Sequence, residues 1–429
     1  MKREGKDRKK GYFNQEKETR DPEKRKESLE KSLKAIIKHG YKNSKAIKTI
    51  LDKAGATPDD INTLEDLEKL PITNKADLLD CQKREFPFGG FEAVPLEEIR
   101  RIYVSPGFIY EPGEMEYKDT RLAEALFASG FRKGDIIVNT FNYHLWPFSF
   151  MLDESLKMIG CTVVPTGPGN THMQVTIIQH LKANGFIGTP SFLMTISERA
   201  EGMGIDLKKD FPLETAFVSA EMLPESLRKR LEEKTGITIS QAYATVDLGC
   251  IGYECPNKNG LHIPEDVIVE IINPDTGKKV EPGAVGEVVV TTFNKTFPLI
   301  RFGTGDLSSF MKEKCECGRT SLKLLKILGR TDQATKIRGT FVHPWQTDEL
   351  MGKFHEVYKY QMVVTRKEHK DEITFFVELK EEPVDKVRLK AQIEKMIKEM
   401  LNLRGKVEIV PKGYIPEWHK KIEDKRSWE

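Results

Sequence analysis

No run of apolar residues in this 429-residue chain is long enough to cross a bilayer. The start, Met1-Lys-Arg-Glu-Gly-Lys-Asp, lacks the apolar core of a secretory signal. Neither sign of charge dominates: 68 basic side chains face 66 acidic ones, so composition offers no field that would gather nucleic acid or an anionic membrane. Cysteine is scarce, six residues in all, and in a long chain without an export signal clustered cysteines point to metal ligation rather than to disulfides. No internal repeat or low-complexity tract stands out. These absences leave a cytoplasmic, water-soluble globular protein, too long for one ordinary core and expected to hold two or three domains.

What is present begins with charge. Residues 1–35 carry few hydrophobics before Leu29, Leu33, Ile36 and Ile37, which predicts a frayed, solvated lead-in, with the basic run Lys2–Lys10, entering a helix over 22–39. A second helix is expected over 44–54. The segment from Leu64 reads as helix, turn at Pro71, and a further helix capped by Thr73 or Asn74. From residue 100 short apolar strands alternate with helices: strands at 101–104, 135–140, 161–165, 186–188, 215–219 and 238–242, helices at 119–130, 150–159, 191–202 and 224–235. That alternation predicts parallel sheets covered by helices. Beyond Cys250 the texture becomes strand–turn–strand, with 267–272 and 286–292 as an antiparallel unit. A small α+β unit ends the chain: a hairpin of 358–365 with 372–378, a helix over 384–401 and a strand at 406–410.

Cys255-Pro-Asn-Lys-Asn-Gly-Leu-His262 offers one thiolate and one imidazole, and Cys315-Glu-Cys317 offers two thiolates from a tight turn. Four nitrogen and sulfur ligands suit a closed, structural, tetrahedral zinc site. Cys81, Cys161 and Cys250 read as ordinary small hydrophobes.

Between Gly286 and Gly339 four motifs follow in fixed order: Gly286-Glu-Val-Val-Val-Thr-Thr292, Arg301-Phe-Gly-Thr-Gly-Asp306, Cys315-Glu-Cys-Gly-Arg319, and Gly329-Arg-Thr-Asp332 leading to Lys336-Ile-Arg-Gly339. In this order they resemble the adenylate-forming (AMP-binding) enzymes, and within them the phenylacetate–coenzyme A ligase family; the likeness runs from about Leu64 to Asp424. It implies a charged N-terminal extension (1–35), a large α/β adenylation domain (36–331) and a small mobile α+β C-terminal domain (332–429). It implies an ATP-dependent acid–coenzyme A ligase that makes an acyl-AMP from an aromatic, phenylacetate-like or other carboxylic acid. ATP or AMP, Mg2+, coenzyme A and structural Zn2+ are the implied cofactors. The partners expected are a small carboxylic acid and coenzyme A, with no nucleic acid and no stable membrane association; a homodimer is left open.

Residue by residue, Gln241-Ala-Tyr-Ala-Thr-Val-Asp247 resembles the family's Gln-x-Tyr-Gly-x-Thr-Glu. Tyr243 maps onto the residue that stacks on adenine and Asp247 onto the magnesium ligand, with Gln241, Ala242, Ala244 and Thr245 beside them. Ala244, Val246 and Asp247 depart from the pattern, and aspartate is a shorter but competent magnesium ligand. Ser219-Ala220-Glu221 resembles the strip whose backbone lines adenine. Asp306 maps onto the ribose ligand, Arg330 onto a ribose or phosphate contact, and Asp332 onto the hinge. Lys336 and Gly339 map onto the thiol tunnel. Lys420 maps onto the lysine that reaches the α-phosphate, with Lys421 as the alternative and His419 where glycine is usual. Phe141-Asn-Tyr-His-Leu-Trp146 falls at the acid-pocket segment, through Tyr143, His144 and Trp146.

The phosphate loop departs most. Where the family has a hydroxyl- and glycine-rich loop ending in lysine, this chain reads Ser105-Pro-Gly-Phe-Ile-Tyr-Glu111-Pro-Gly-Glu114, and Lys118 is the nearest lysine. Two other readings therefore stay open: an adenylyltransferase of the same fold without a thiol step, and a non-catalytic nucleotide-binding homologue.

Overall fold

The computed structural model describes residues 7–105, 108–274, 276–331, 335–337, 340–342, 344–367, 370–380, 385–401 and 403–426. Asp332 and Gly339 lie outside them. Contacts divide the chain into a first unit, Met1–Thr304 with Ser308–Ile327, and a second, Gly305–Leu307 with Leu328–Glu429.

Most predicted elements form, and local chemistry says why. The first long helix, Pro22–Asn43, starts at proline behind an Asp21 cap and buries Leu33, Ile36, Ile37 and Gly40, the spacing of a single helical face. Ser44 ends it and caps the next helix, Lys45–Lys53, through a hydrogen bond from the Ile47 amide. Of the two candidate caps near Pro71, Asn74 does the work, closing a capping box with Asp77 at the head of Lys75–Arg84.

The first unit is built on a nine-stranded sheet. Five of its strands are parallel: Thr162–Pro165, Ile136–Asn139, Gly185–Gly188, Thr215–Val218 and Thr238–Thr245. Antiparallel Gly249–Tyr253 and Leu261–His262 extend it. Parallel strands need crossovers, and helices Pro147–Ile159, Thr171–Leu181, Pro190–Gly202 and Glu225–Thr235 supply them. Thr171–Leu181 is absent from the sequence reading; its apolar residues are diluted by Gln174, Gln179 and His180, and the structure buries Gln174 against the Gly167 carbonyl. A second sheet pairs Val267–Ile272 with Gly286–Thr292, as expected, and adds Phe302–Ser308 with Thr73–Asn74 parallel to it.

Two expectations fail. The lead-in is not a solvated tail over its described part. Arg8 reaches Asp135 at 2.7 Å and Glu214 at 2.6 Å. Tyr12 Oη donates to the Cys317 carbonyl at 3.0 Å, and buried Glu18 pairs with buried Arg319 at 2.8 Å. A charge-rich sequence looks solvated until its partners, more than 100 residues away, are known. Secondly, Ser105–Glu114 is not an open loop. Ile99–Ser105 and Ile109–Glu114 form an antiparallel hairpin, with Val104 opposite Tyr110; Pro106 and Gly107 lie outside the described residues.

The second unit carries the hairpin Val357–Lys367/Lys370–Leu379, flanked by parallel Lys406–Ile409 and parallel Ile422–Asp424. Helix Lys386–Leu401 buries Leu389, Ile393, Ile397 and Leu401. Gly305–Leu307 group here because Asp306 and Leu307 pair with Arg330 and Gly329.

Candidate active site

In the first unit the segments singled out by sequence gather at one edge. Ser219–Glu221 follows strand Thr215–Val218, Asp247 follows Thr238–Thr245, and the 141–146 segment follows Ile136–Asn139. All are carboxyl ends of neighbouring parallel strands, where open α/β sheets bind ligands.

Gln241 to Thr245 lie within the strand rather than after it. Gln241 is engaged: its amide Nε2 donates to Glu254 at 2.9 Å, and Glu254 forms a buried ion pair with Arg228 at 2.6 Å. Gln241 therefore anchors the strand. Ala242 and Tyr243 are nearly buried, and a register shift between Tyr243 and Ala244 turns the chain toward its end. Thr245 Oγ1 accepts from the Leu248 amide at 3.2 Å and closes the turn that presents Asp247. In the neighbouring segment Ala220 holds a left-handed backbone (φ 68°). Ser219 donates to the Ala242 carbonyl at 3.1 Å, and Glu221 accepts from Ser191 Oγ at 2.9 Å. The first bond ties the two strips together, and the second ties Glu221 to the head of helix Pro190–Gly202.

Asp247 accepts from Lys75 Nζ at 3.4 Å through Oδ2, while its other oxygen, Oδ1, is buried without a partner. Lys75 is the residue that sequence reasoning missed. It stood in the Leu70-Pro-Ile-Thr-Asn-Lys-Ala-Asp-Leu78 string already noticed, but its direction depends on the Asn74 cap and on Thr73–Asn74 pairing with Phe302 and Gly303.

The hairpin in the phosphate-loop position turns two carboxyls inward. Burial, then the charge of Asp247, pushes Glu111 up to about 8; burial, then Asp119, pushes Glu114 up to about 7. Glu111 Oε1 and Ser105 Oγ are also buried with no partner at hydrogen-bond distance. Oxygen donors short of partners suit a hard cation, so this donor set fits Mg2+.

A cavity of about 610 Å3 opens beside them, lined by Glu111, Glu114, Asp247, Phe150, Met158 and Phe297 among others. It has the size of a small-ligand site. Tyr143 and Trp146 are not among its walls. Tyr143 donates to Asp153 at 2.8 Å and packs edge-on against Phe150, ring centres 5.4 Å apart, and Phe150 is the residue that reaches the cavity. His144 is exposed, and Trp146 precedes the helix at Pro147 with 39% of its surface open.

Cys255, His262, Cys315 and Cys317 converge, their ligand atoms all within 4.8 Å of one another. Cys255 Sγ and Cys315 Sγ are 3.6 Å apart, and Cys317 Sγ lies 3.4 Å from His262 Nε2. A tetrahedron with bonds of about 2.3 Å has edges of about this length. His262 Nδ1 meets Ser321 Oγ at 3.3 Å, which turns Nε2 toward the thiols. The hydrogen bond between Cys255 and Cys317 holds the Cys317 thiol below its ordinary range and pushes Cys255 above it, so the pair shares a proton that a bound metal would displace.

In the second unit Arg330 NH1 donates to Asp306 Oδ1 at 3.1 Å, and Gly305 (φ 74°) sits under the guanidinium, where a side chain would be strained by the backbone and would push the guanidinium aside. Lys336 lies in the short strand Thr335–Ile337. Lys420 and Lys421 separate clearly. Lys421 bonds Asp348 and covers the Tyr360 ring, 4.9 Å from its centre. The Lys420 side chain is exposed, while its carbonyl is pinned by Gln361. His419 lies between the carbonyls of Pro416 (Nδ1, 2.9 Å) and Tyr360 (Nε2, 3.1 Å), and the N–H of either tautomer donates to one of them.

Residues 145–294 match the model of the AMP-binding enzyme family, and 339–426 that of the AMP-binding enzyme C-terminal domain. The chain is 33% identical to the phenylacetate–coenzyme A ligase of Thermus thermophilus, covering 94% of this chain and 96% of the relative. It is 31% identical to that of Escherichia coli, over 90% of each. Among solved structures, an open conformation of 2-hydroxyisobutyryl-CoA ligase in complex with 2-HIB-AMP and CoA superimposes with a TM-score of 0.82 at 22% identity, covering 95% of this chain and 93% of that one.

Proposed function

The chain belongs to the phenylacetate–coenzyme A ligase family of adenylate-forming enzymes, and we propose that it is an ATP-dependent ligase joining an aromatic or arylacetic acid to coenzyme A through an acyl-AMP. One observation carries this reading: Ser219–Glu221, Asp247 and the aromatic segment lie at the carboxyl edge of one parallel sheet, and Asp247 lines the cavity walled by Phe150, Met158 and Phe297. Tyr243 and Asp247 are assigned to the adenine and the magnesium ion, and Asp306 and Arg330 to ribose. Asp332 is the hinge, and Lys336 with Gly339 serves the thiol step. Lys420 is assigned to the α-phosphate rather than Lys421, whose ammonium already has Asp348. In-line attack of a carboxylate on phosphorus needs positioning and neutralised charge more than covalent help. Asp247 would hold the Mg2+ that screens the phosphates. The four-ligand cluster would hold a structural Zn2+ without an open position.

AMP release is measured with ATP, Mg2+, coenzyme A and a panel of aryl, arylacetic and fatty acids. Acid- and thiol-dependent AMP, strongest with arylacetic acids, is expected. Acyl-AMP without thioester would point to an adenylyltransferase, and nucleotide binding without pyrophosphate release to a non-catalytic homologue. A cytoplasmic location belongs to the same proposal.

A further inference from the structure

Ser105 Oγ, Glu111 Oε1 and Asp247 Oδ1 are buried oxygens with no partner at hydrogen-bond distance, though Ser105 lies close enough to Glu111 to draw its carboxyl down against burial. Ser105 and Glu111 are 2% and 6% exposed, and the Asp247 side chain 6%. Their placement is architectural. Ser105 pairs with Ile109 and Tyr103 with Glu111, so strand alternation puts Ser105 and Glu111 on one face of the hairpin as diagonal neighbours. Asp247 lines the same cavity as Glu111, close enough for its charge to act on that carboxyl.

This arrangement is costly as it stands. A buried polar atom left unpaired costs about 1–3 kcal/mol, and more when charged. Lys75 is the ammonium that bonds Asp247, through Oδ2, so one ammonium stands beside two carboxyls, of which Glu111, pushed up to about 8, keeps its proton until a cation displaces it. A second ammonium would answer the charge but not three separate oxygens. One hard cation answers both, because it takes oxygen ligands from several directions and keeps water at the rest. Glu114 lines the same cavity, but the charges that act on it are those of Asp119, Arg121 and Lys118 rather than Asp247.

We propose that Glu111 and Asp247, completed by Ser105 Oγ and water, bind one divalent cation of the magnesium or manganese class. The hairpin then presents a bound cation to phosphate where related loops present lysine and hydroxyl donors. Binding of the ion stands on the three oxygens; its role toward phosphate rests on the ligase reading.

The test uses full-length, zinc-loaded protein without nucleotide. Mn2+ is titrated and free ion read by electron paramagnetic resonance, while melting temperature is followed in Mg2+. Wild type is expected to bind Mn2+ and to melt higher in Mg2+. Glu111→Gln and Asp247→Asn should each weaken Mn2+ by about tenfold or more, Glu114→Gln should not, and Mg2+ should no longer raise the melting temperature of Glu111→Gln. If Glu111→Gln does not fold, Glu111→Asp, which withdraws the carboxylate by one methylene, should show the same weakening. No Mn2+ binding by wild type, or equal affinity in a folded Glu111 variant, overturns the proposal. Neither result bears on acid-dependent AMP release, which tests the ligase reading separately at saturating Mg2+.

Discussion

Arg301 Nε donates to Glu270 Oε2 at 3.2 Å, and both side chains are almost wholly buried. The same guanidinium donates to the Leu70 carbonyl at 2.7 Å, so the arginine of the Arg-Phe-Gly-Thr-Gly-Asp motif is a strut. It holds the segment that leads into Thr73–Asn74 and so aims Lys75 at Asp247. Removing one partner of a buried pair strands the other, at a cost of about 3–5 kcal/mol. Arg301→Ala should therefore lower unfolding free energy by about that much in urea melts, and Arg301→Lys should recover only part of it, because one ammonium cannot serve both Glu270 and Leu70.

The cysteine–histidine cluster should behave as a folding element. Metal analysis should find about one zinc per chain. Chelation or Cys317→Ser should lower the melting temperature and loosen the first unit, because the cluster joins the turn at 315–317 to the strand at His262 and Tyr12 binds that turn. Well under one zinc per chain would end this assignment.

The two C-terminal lysines should separate in a pyrophosphate-exchange assay. Lys420→Ala should slow adenylation by about 100-fold or more, the scale of losing one aimed charge at a transition state. Lys421→Ala removes a half-exposed pair with Asp348, worth about 0–1 kcal/mol, and should leave the rate near wild type. Unchanged adenylation in Lys420→Ala would return the role to another residue.

Glu124 should make stability depend on pH. Burial above all, with the charges of Glu18, Glu265 and Asp266, pushes its carboxyl up to about 8, against the opposing hydrogen bond from the Glu265 amide. The folded chain therefore keeps a proton that the unfolded chain releases near about 4.3. That contribution is complete below the unfolded value and is lost as pH rises toward 8. Urea melts from pH 5 to 8 should show wild type losing stability relative to Glu124→Gln, by up to about 1.4 kcal/mol for each pKa unit traversed.

Periodicity, caps and turn residues act over a few neighbouring residues, and they alone determined the helix from Pro22, most of the alternating strands and helices from 115 to 245, with Thr171–Leu181 missed, and the terminal α+β unit. The pattern Cys255…His262…Cys315…Cys317 likewise carried its own chemistry, because thiols and imidazoles in such numbers have few other uses. The direction of a side chain across the fold was not legible. Lys75 is one lysine among many until a strand pairing turns it toward Asp247. Gln241 looks like a nucleotide contact until Glu254 and Arg228 claim it. Lys420 and Lys421 are adjacent and equivalent until Asp348 takes one of them. Ser105–Glu114 read as an altered phosphate loop because its glutamates carry charge; packing decided that Glu111 is buried and Glu114 half-buried, and burial changes what a carboxyl can do. Short-range preferences determine elements, whereas desolvation and long-range pairing determine which groups remain open to a ligand, and only the folded chain sets those.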